Sequence, residues 1–216
     1  MLALSALGGV LALDATSFGQ FMISRPLVAA TLAGGLLGEP VLGLQIGMFL
    51  EFFHLDGMPS GGSRVPEAGP AAVVAVAIAA TVSGPAGLAF GVMAGLMVSE
   101  LGGLTVGVQR HVNMALIARM EAGRVSPLRL NGVHLLAMFL DFARGGIITA
   151  VGVLVGTRAI GIAYDAWTLS AESTVAMIVV AASIHLGALL KEFGGWRSQS
   201  AVFLIGLVAG IVGVYL

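Results

Sequence analysis

The chain has 216 residues, of which 58% are hydrophobic and only 10% charged, and its mean hydropathy is +1.03. About a quarter of the residues of a soluble domain are charged, so this composition predicts an integral membrane protein. Ten Lys and Arg against 11 Asp and Glu give a net charge of −1, which argues against nucleic acid as a partner. The sequence has no cysteine, which excludes disulfides, thiolate metal sites and a cysteine phospho-carrier.

Eight apolar segments follow one another along the chain, each bounded by charged or turn-forming residues. They cover residues 1–13, 25–38, 40–55, 68–83, 85–103, 131–157, 174–190 and 199–216. The N-terminus lacks the basic start of a secretory signal peptide, so we expect it to remain as the first segment. We find no linker and no extramembrane domain, and we interpret residues 1–216 as a single transmembrane domain.

Several of these segments are too short to span a membrane. A bilayer core of about 30 Å needs about 20 helical residues, and residues 1–13 and the two segments flanking Gly38-Glu39-Pro40 fall below that length. Short, Gly- and Pro-interrupted segments are typical of broken or re-entrant helices in transporters. We therefore predict an all-α, polytopic helical bundle with broken or re-entrant helices. Glycines spaced four apart, such as Gly34/Gly38 and Gly43/Gly47, favour close helix packing.

Residues 106–130 differ from the rest because arginines alternate there with apolar side chains. The basic residues are Arg110, Arg119, Arg124 and Arg129, and Glu121 is the only acidic one. We predict an amphipathic helix plus a turn lying at the membrane interface on the cytoplasmic side, in accordance with the positive-inside rule. Gly123 and Ser126-Pro127 are expected to end it.

Glu51 is the strongest candidate for a binding residue. It follows the apolar run Gly47 to Leu50, and an acidic group at membrane depth normally faces a partner or a water-filled cavity. Its carboxylate is suited to accept strong hydrogen bonds from ligand hydroxyls. The alternative is a structural ion pair with Arg25 or Arg64.

Four further residues lie close to Glu51 in the sequence or on the same apolar stretch. His54 shares a helical face with Glu51, but a lone histidine is more often a packing residue than a metal ligand or phospho-acceptor. Asp14 and Gln20 flank a turn, where Asp14 serves either as a ligand residue or as the cap of a helix beginning near Ser17. Arg25 precedes a proline that suits a helix start, and it either pairs with a carboxylate or extends to lipid headgroups.

Asp141 and Arg144 are three residues apart and are expected to pair on one helical face. We favour a structural pair there over a substrate contact. Hydrolase, Walker and dinucleotide-binding signatures are absent from the sequence, so it predicts neither an enzyme nor a cofactor site.

The run from Leu13 to Glu67 resembles the N-terminal half of the membrane subunit IIC of mannose/fructose/sorbose-family sugar phosphotransferase systems. The elements that carry the resemblance are Asp14, Arg25-Pro26-Leu27, Leu37-Gly38-Glu39, Gly47 to Glu51, Met58 to Gly62 and Pro66-Glu67. A weaker match continues through residues 108–123, the HLL at His134 and the FARGG around Arg144.

The resemblance implies a subunit of the bacterial cytoplasmic (inner) membrane that binds a hexose near the membrane midplane and moves it by alternating access. It also implies a IID-like second membrane subunit, an oligomer in membrane lipid, and separate IIA and IIB proteins that carry the phosphoryl group. On this reading the residues expected to contact sugar are Glu51, Asp14, Gln20, Arg25, Ser60 and His54.

The chain also departs from the family pattern. It ends at Leu216, where family members usually continue with hydrophobic sequence, and Phe53 and His54 stand where the family commonly has other residues. The alternative function is therefore a shortened membrane sensor or scaffold that retains the IIC fold without transporting sugar. An ion-coupled permease is less favoured because few acidic residues lie within the apolar segments.

Overall fold

The computed structural model describes residues 1–55, 64–121 and 126–192, and residues 194, 197, 200–206, 208 and 212 beyond them. The regular elements in this part of the chain are helices, which confirms the predicted all-α class. They are α1 (Leu2–Thr16), α2 (Pro26–Leu37), α3 (Pro40–Phe53), α4 (Ala68–Ala79), α5 (Pro85–Glu121), α6 (Pro127–Ala163) and α7 (Ala171–Glu192), with a short 3₁₀ helix at Tyr164–Ala166. By length and composition, α5, α6 and α7 are able to cross a membrane.

The helices α2 and α3 form a hairpin of two short arms. They contain 12 and 14 residues, which corresponds to lengths of about 18 and 21 Å. Helix α2 ends because Gly38 adopts a left-handed conformation with φ of +79°, and Pro40 begins α3 directly afterwards. The prediction of two short segments flanking Gly38-Glu39-Pro40 is confirmed.

The hairpin packs backbone against backbone. A Cβ atom on Gly34 would lie 2.6 Å from the carbonyl oxygen of Glu39 and 2.9 Å from the Cα of Gly43. A Cβ on Gly47 would lie 2.9 Å from the Cα of Leu27. These glycines permit the close approach that their spacing predicted, whereas Gly38 serves the turn and faces open space.

Helix α4 forms the centre of the bundle. Every residue from Gly69 to Ala79 is buried, and α1, α2, α3, α5 and α6 all contact this helix. Its Ala and Val side chains are small, and glycines of the neighbouring helices face it. A Cβ on Gly91 of α5 would lie 2.7 Å from the carbonyl oxygen of Ala75. A short helix buried on all sides therefore organises the longer ones.

The stretch from residue 106 to Glu121 is helical as predicted, but the prediction that an element of its own begins near residue 106 is wrong. These residues continue α5 as one helix of 37 residues, because no proline interrupts the chain between Pro85 and Glu121. Gly123, expected to end that helix, lies outside the described residues, and the position of the stretch at the membrane interface remains a prediction. The boundary at Ser126-Pro127 is confirmed: the Ser126 hydroxyl accepts a hydrogen bond from the N–H of Arg129 at 3.3 Å, and Pro127 begins α6. Helices of this length, about 55 Å, exceed a bilayer core of about 30 Å.

We predict that Gly34→Ala lowers the free energy of unfolding by about 1–3 kcal/mol, because the new methyl group would clash with backbone atoms of Glu39 and α3. Gly35→Ala is the matched control. The neighbouring Gly35 is exposed and has no atom near its Cβ position, so alanine is expected to stabilise helix α2 by up to about 1 kcal/mol. Unfolding of both variants in mild detergent, followed by circular dichroism, measures the difference. Equal stabilities would contradict the close packing of the hairpin.

We predict that the end of α6 near Leu128 faces the cytoplasm, because Arg110, Arg119 and Arg129 lie at that end of the α5–α6 pair, and basic residues near membrane ends favour that side. The Leu128 side chain is 84% exposed, and the chain has no native cysteine. A Leu128→Cys variant should react with an impermeant maleimide only after the cells are permeabilised. Thr168→Cys, in the exposed connection after α6, should react in intact cells. Labelling of Leu128→Cys in intact cells, with Thr168→Cys labelled only after permeabilisation, would show the opposite orientation.

Candidate functional site

The connection between α1 and α2, residues 17–25, lies at the centre of the candidate site, and we call it the α1–α2 loop. Two of its residues that are not glycine have positive φ angles, Gln20 at +52° and Met22 at +63°. Such angles are costly for residues with a side chain and persist only where the surroundings hold them. The loop also exposes Phe18, Phe21 and Met22. Its conformation is therefore imposed from outside the loop.

Asp14 holds the middle of the α1–α2 loop. Its side chain is buried in the last turns of α1, and Oδ1 accepts the backbone N–H of Phe21 at 2.7 Å while Oδ2 accepts that of Ser24 at 2.9 Å. The structure contradicts the alternative that Asp14 caps a helix beginning near Ser17, because no helix begins there. The carboxylate instead satisfies backbone donors that the loop leaves open.

Glu51 holds the end of the α1–α2 loop and the start of α2. Its Oε1 accepts the Nε–H of Arg25 at 2.7 Å and also contacts Nη2 of the same guanidinium. Its Oε2 accepts the backbone N–H of Leu27 at 3.1 Å. The ion pair with Arg25 that the sequence offered as an alternative is thus present, and Arg25-Pro26 starts a helix as predicted.

The Arg25–Glu51 pair is only partly covered. The side chains of Arg25 and Glu51 are 31% and 20% exposed, so both charged groups keep hydrogen-bonding capacity toward the outside. Gln20 is exposed on the same loop. Of the predicted set, the structure therefore joins Glu51 to Arg25, and it places Gln20 on the same loop as Arg25.

The two remaining predicted residues lie at or beyond the end of α3. His54 is buried, and its Nδ1 is 2.7 Å from the carbonyl oxygen of Leu50 in the preceding turn. This contact fits the packing role that we favoured for a lone histidine. Ser60 lies outside the described residues, so its place relative to the loop remains a prediction.

A second polar cluster centres on Arg144 of α6. Its Nη1 and Nη2 donate to Oε2 and Oε1 of Glu67, both at 2.6 Å. Nη2 and Nε also donate to Oδ1 of Asp141 at 2.8 and 3.1 Å, and Nη1 donates to the hydroxyl of Thr105 at 3.0 Å. The predicted Asp141–Arg144 pair is confirmed.

This second cluster reaches the α1–α2 loop through Asp141. Its Oδ2 accepts hydrogen bonds from the hydroxyl of Thr16, at 2.7 Å, and from the hydroxyl of Ser17. Three carboxylates from three helices therefore hold the loop: Asp141 at its start, Asp14 in its middle and Glu51 at its end. Within the part of the chain that the structure describes, no group of three or more His, Cys, Asp or Glu residues is arranged to hold a metal ion.

Sequence reasoning missed Glu67 as part of the site. The Glu67 side chain is 2% exposed, and the extended residues before it pack on α5 where Gly102 and Gly103 leave room. The available signal was its position directly before the uninterrupted apolar run of α4, since a carboxylate at such a boundary needs a partner. The partner, Arg144, is 77 residues away in the chain, and the sequence gives no indication of that pairing.

Comparison with known proteins places these features in a family. The family model for the sorbose-specific IIC component of the phosphotransferase system (PTS) matches residues 1–184. The chain is 26% identical over 141 residues to the PTS mannose-specific EIIC component of Escherichia coli K12, which covers 64% of this chain and 52% of that protein. It is 27% identical over 134 residues to the sorbose-specific EIIC component of Lacticaseibacillus casei, covering 61% and 48%. The chain thus spans about half the length of the curated relatives it matches.

Solved structures agree on the fold. A chain from the cryo-electron microscopy structure of the mannose transporter ManYZ with microcin E492 superimposes with a TM-score of 0.61 at 21% identity, covering 100% of this chain and 96% of that one. Another membrane protein structure gives a TM-score of 0.62 with the same identity and coverage. Because the family match extends through all the helices described above except the end of α7, this chain belongs to the family of sorbose-specific IIC components of sugar phosphotransferase systems.

Proposed function

We propose that the chain is a sugar-conducting IIC subunit that binds a hexose and moves it across the bacterial cytoplasmic membrane in a mannose-type PTS. Family membership supports the class of function, and two relatives named for mannose and sorbose support a hexose-type substrate. The observation that carries the proposal is the partly exposed Arg25–Glu51 pair at the end of a strained loop.

The pair suits the recognition of a sugar. A carboxylate accepts hydrogen bonds from hydroxyl groups and a guanidinium donates to their oxygens, and both kinds of bond are stronger than those between neutral groups. We assign direct contact with the sugar to Glu51, Arg25 and Gln20, and to Ser60 on the strength of the sequence. Asp14 and His54, which are buried and bonded to backbone atoms, shape the site from behind.

Transport itself requires the site to open alternately to each side of the membrane. The short α2–α3 hairpin, which is too short to span the bilayer as two complete helices, carries Glu51 and the start of α2 as one closely packed unit. We propose that this hairpin moves relative to α1 and α6, with the α1–α2 loop as the connection. Such a broken-helix arrangement is typical of transporter binding sites.

Phosphoryl transfer is assigned to partner IIA and IIB proteins. The Nδ1 atom of His54 lies at hydrogen-bonding distance from a backbone oxygen within a buried turn, which is a poor position for accepting a phosphoryl group from a protein in water. We therefore propose a transport role for this chain and no enzymatic step on it.

We predict that Glu51→Gln weakens hexose binding by about 1.5–3 kcal/mol, because the hydrogen bonds from sugar hydroxyls then go to a neutral acceptor. The measurement is titration of the purified protein with D-mannose and with L-sorbose. Glu100→Gln is the matched control: its carboxylate is 63% exposed and lies 3.9 Å from Arg64, outside the proposed site. Affinity unchanged in Glu51→Gln would rule out its contact with sugar. Binding without uptake in cells would favour the sensor or scaffold function.

We also predict that the chain is stable only with a IID-like membrane subunit or as an oligomer. Helices α5, α6 and α7 expose many large apolar side chains, among them Ile162 and Ile184, and Gly161 and Gly187 have no neighbouring atoms at their Cβ positions. Small residues of this kind allow a second helix to approach closely in lipid. The chain expressed by itself should aggregate in mild detergent. Co-expression with a IID-like membrane protein should give one monodisperse complex in size-exclusion chromatography. A monodisperse monomer that binds sugar would contradict this prediction.

A further inference from the structure

The start of the α1–α2 loop is anchored to α6 by one buried carboxylate. Asp141 is 2% exposed, and its Oδ2 accepts hydrogen bonds from the hydroxyls of both Thr16 and Ser17. These two residues are the last of α1 and the first of the loop. A buried carboxylate is costly without hydrogen-bond donors. Asp141 therefore holds the hydroxyls of Thr16 and Ser17, and with them the start of the loop, in place.

Asp141 is in turn held by Arg144, which is fixed on its other side. The guanidinium binds both oxygens of Glu67 at 2.6 Å and the hydroxyl of Thr105 at 3.0 Å. This two-point geometry leaves the guanidinium little freedom to turn. The position of the loop is therefore linked to the residue before α4, Glu67, and to Thr105 of α5.

The loop needs such an anchor because its backbone is strained. Gln20 and Met22 hold positive φ angles, and a strained segment of this kind relaxes when the contacts that impose it are removed. Asp14 and Glu51 fix the middle and the end of the loop. The start depends on the hydroxyls of Thr16 and Ser17, and close packing of Gly145 of α6 on the backbone of Gly8 in α1 keeps the two helices in register.

We propose that Asp141 and Arg144 are positioning residues of the sugar site: they set the conformation of the α1–α2 loop, and through it the affinity of the Arg25–Glu51 region for sugar. This inference rests on the proposed function. The sequence alone favours a structural role for the buried Asp141–Arg144 pair. The inference adds a measurable effect of this pair on ligand binding at the other end of the loop.

The test uses the full chain in lipid nanodiscs, with the IID-like subunit where it co-purifies. A nitroxide attached to Phe21→Cys reports the mobility of the loop, since this side chain is 73% exposed and the chain has no native cysteine. Ser17→Ala removes one hydroxyl bound to Asp141. The matched control is Ser5→Ala, whose hydroxyl bonds only a backbone oxygen of its own helix, that of Met1. Ser17→Thr keeps the hydroxyl.

In Ser17→Ala we expect a more mobile label and a Kd for D-mannose or L-sorbose raised about three- to tenfold, with thermal stability close to that of Ser5→Ala. Ser17→Thr should restore both the label spectrum and the Kd. In the Asp141→Asn background, Ser17→Ala should raise the Kd by a smaller factor than it does in the unsubstituted protein, because Asp141 and Ser17 act through one hydrogen bond. If Asp141→Asn does not fold, the comparison of the serine variants still decides the question.

A label spectrum in Ser17→Ala equal to that of Ser5→Ala would overturn the proposal, and so would a loosened loop with an unchanged Kd. If the unsubstituted protein binds neither sugar, the proposed function fails instead. The label comparison then stands alone: a loosened loop supports the positioning by Asp141, and an unchanged loop overturns it.

Discussion

The guanidinium of Arg144 lies between the carboxylates of Glu67 and Asp141 in the interior of the bundle, and the arrangement of the surrounding helices depends on this contact. The side chains of Arg144 and Glu67 are 10% and 2% exposed, so each charge has lost most of its hydration. Removing one partner of a buried pair costs about 3–5 kcal/mol, because the remaining charge is left uncompensated. The cluster therefore fixes α6 to the chain before α4 and to the end of α1.

The buried polar groups of this molecule form hydrogen bonds with one another and not with water. The α1–α2 loop has backbone donors that no helix satisfies, and the carboxylate of Asp14 accepts two of them. Glu51 does the same for Leu27 at the start of α2, where a negative charge also interacts favourably with the helix dipole. Non-helical backbone at membrane depth is tolerated only with such internal partners. The acidic residues thus make the loop possible, and the loop leaves the Arg25–Glu51 pair partly exposed.

Glycine has the complementary role in the apolar part of the molecule. Hydrophobic attraction between helices is weak in lipid, so close packing of backbones has to stabilise the bundle. The contacts of Gly34 with Gly43 and of Gly91 with α4 bring short helices near enough to bury one another. The result is a compact inner group of short helices beside longer ones, with three carboxylates meeting at one loop.

The sequence alone determined the class of protein, the helical state and the short arms around Gly38-Glu39-Pro40, because composition, segment length and turn residues act locally. It also indicated Glu51, Asp14 and Arg25 as residues of interest and predicted the Asp141–Arg144 pair, which is three residues apart on one helix. It gave a wrong boundary near residue 106, because a change to arginines alternating with apolar side chains does not by itself end a helix. Only the tertiary structure decided that Asp14 binds the loop backbone, that Glu51 pairs with Arg25 while Arg64 lies near Glu100, and that Glu67 meets Arg144. These contacts join residues distant in the chain, and a carboxylate's choice among several arginines depends on which helices pack together.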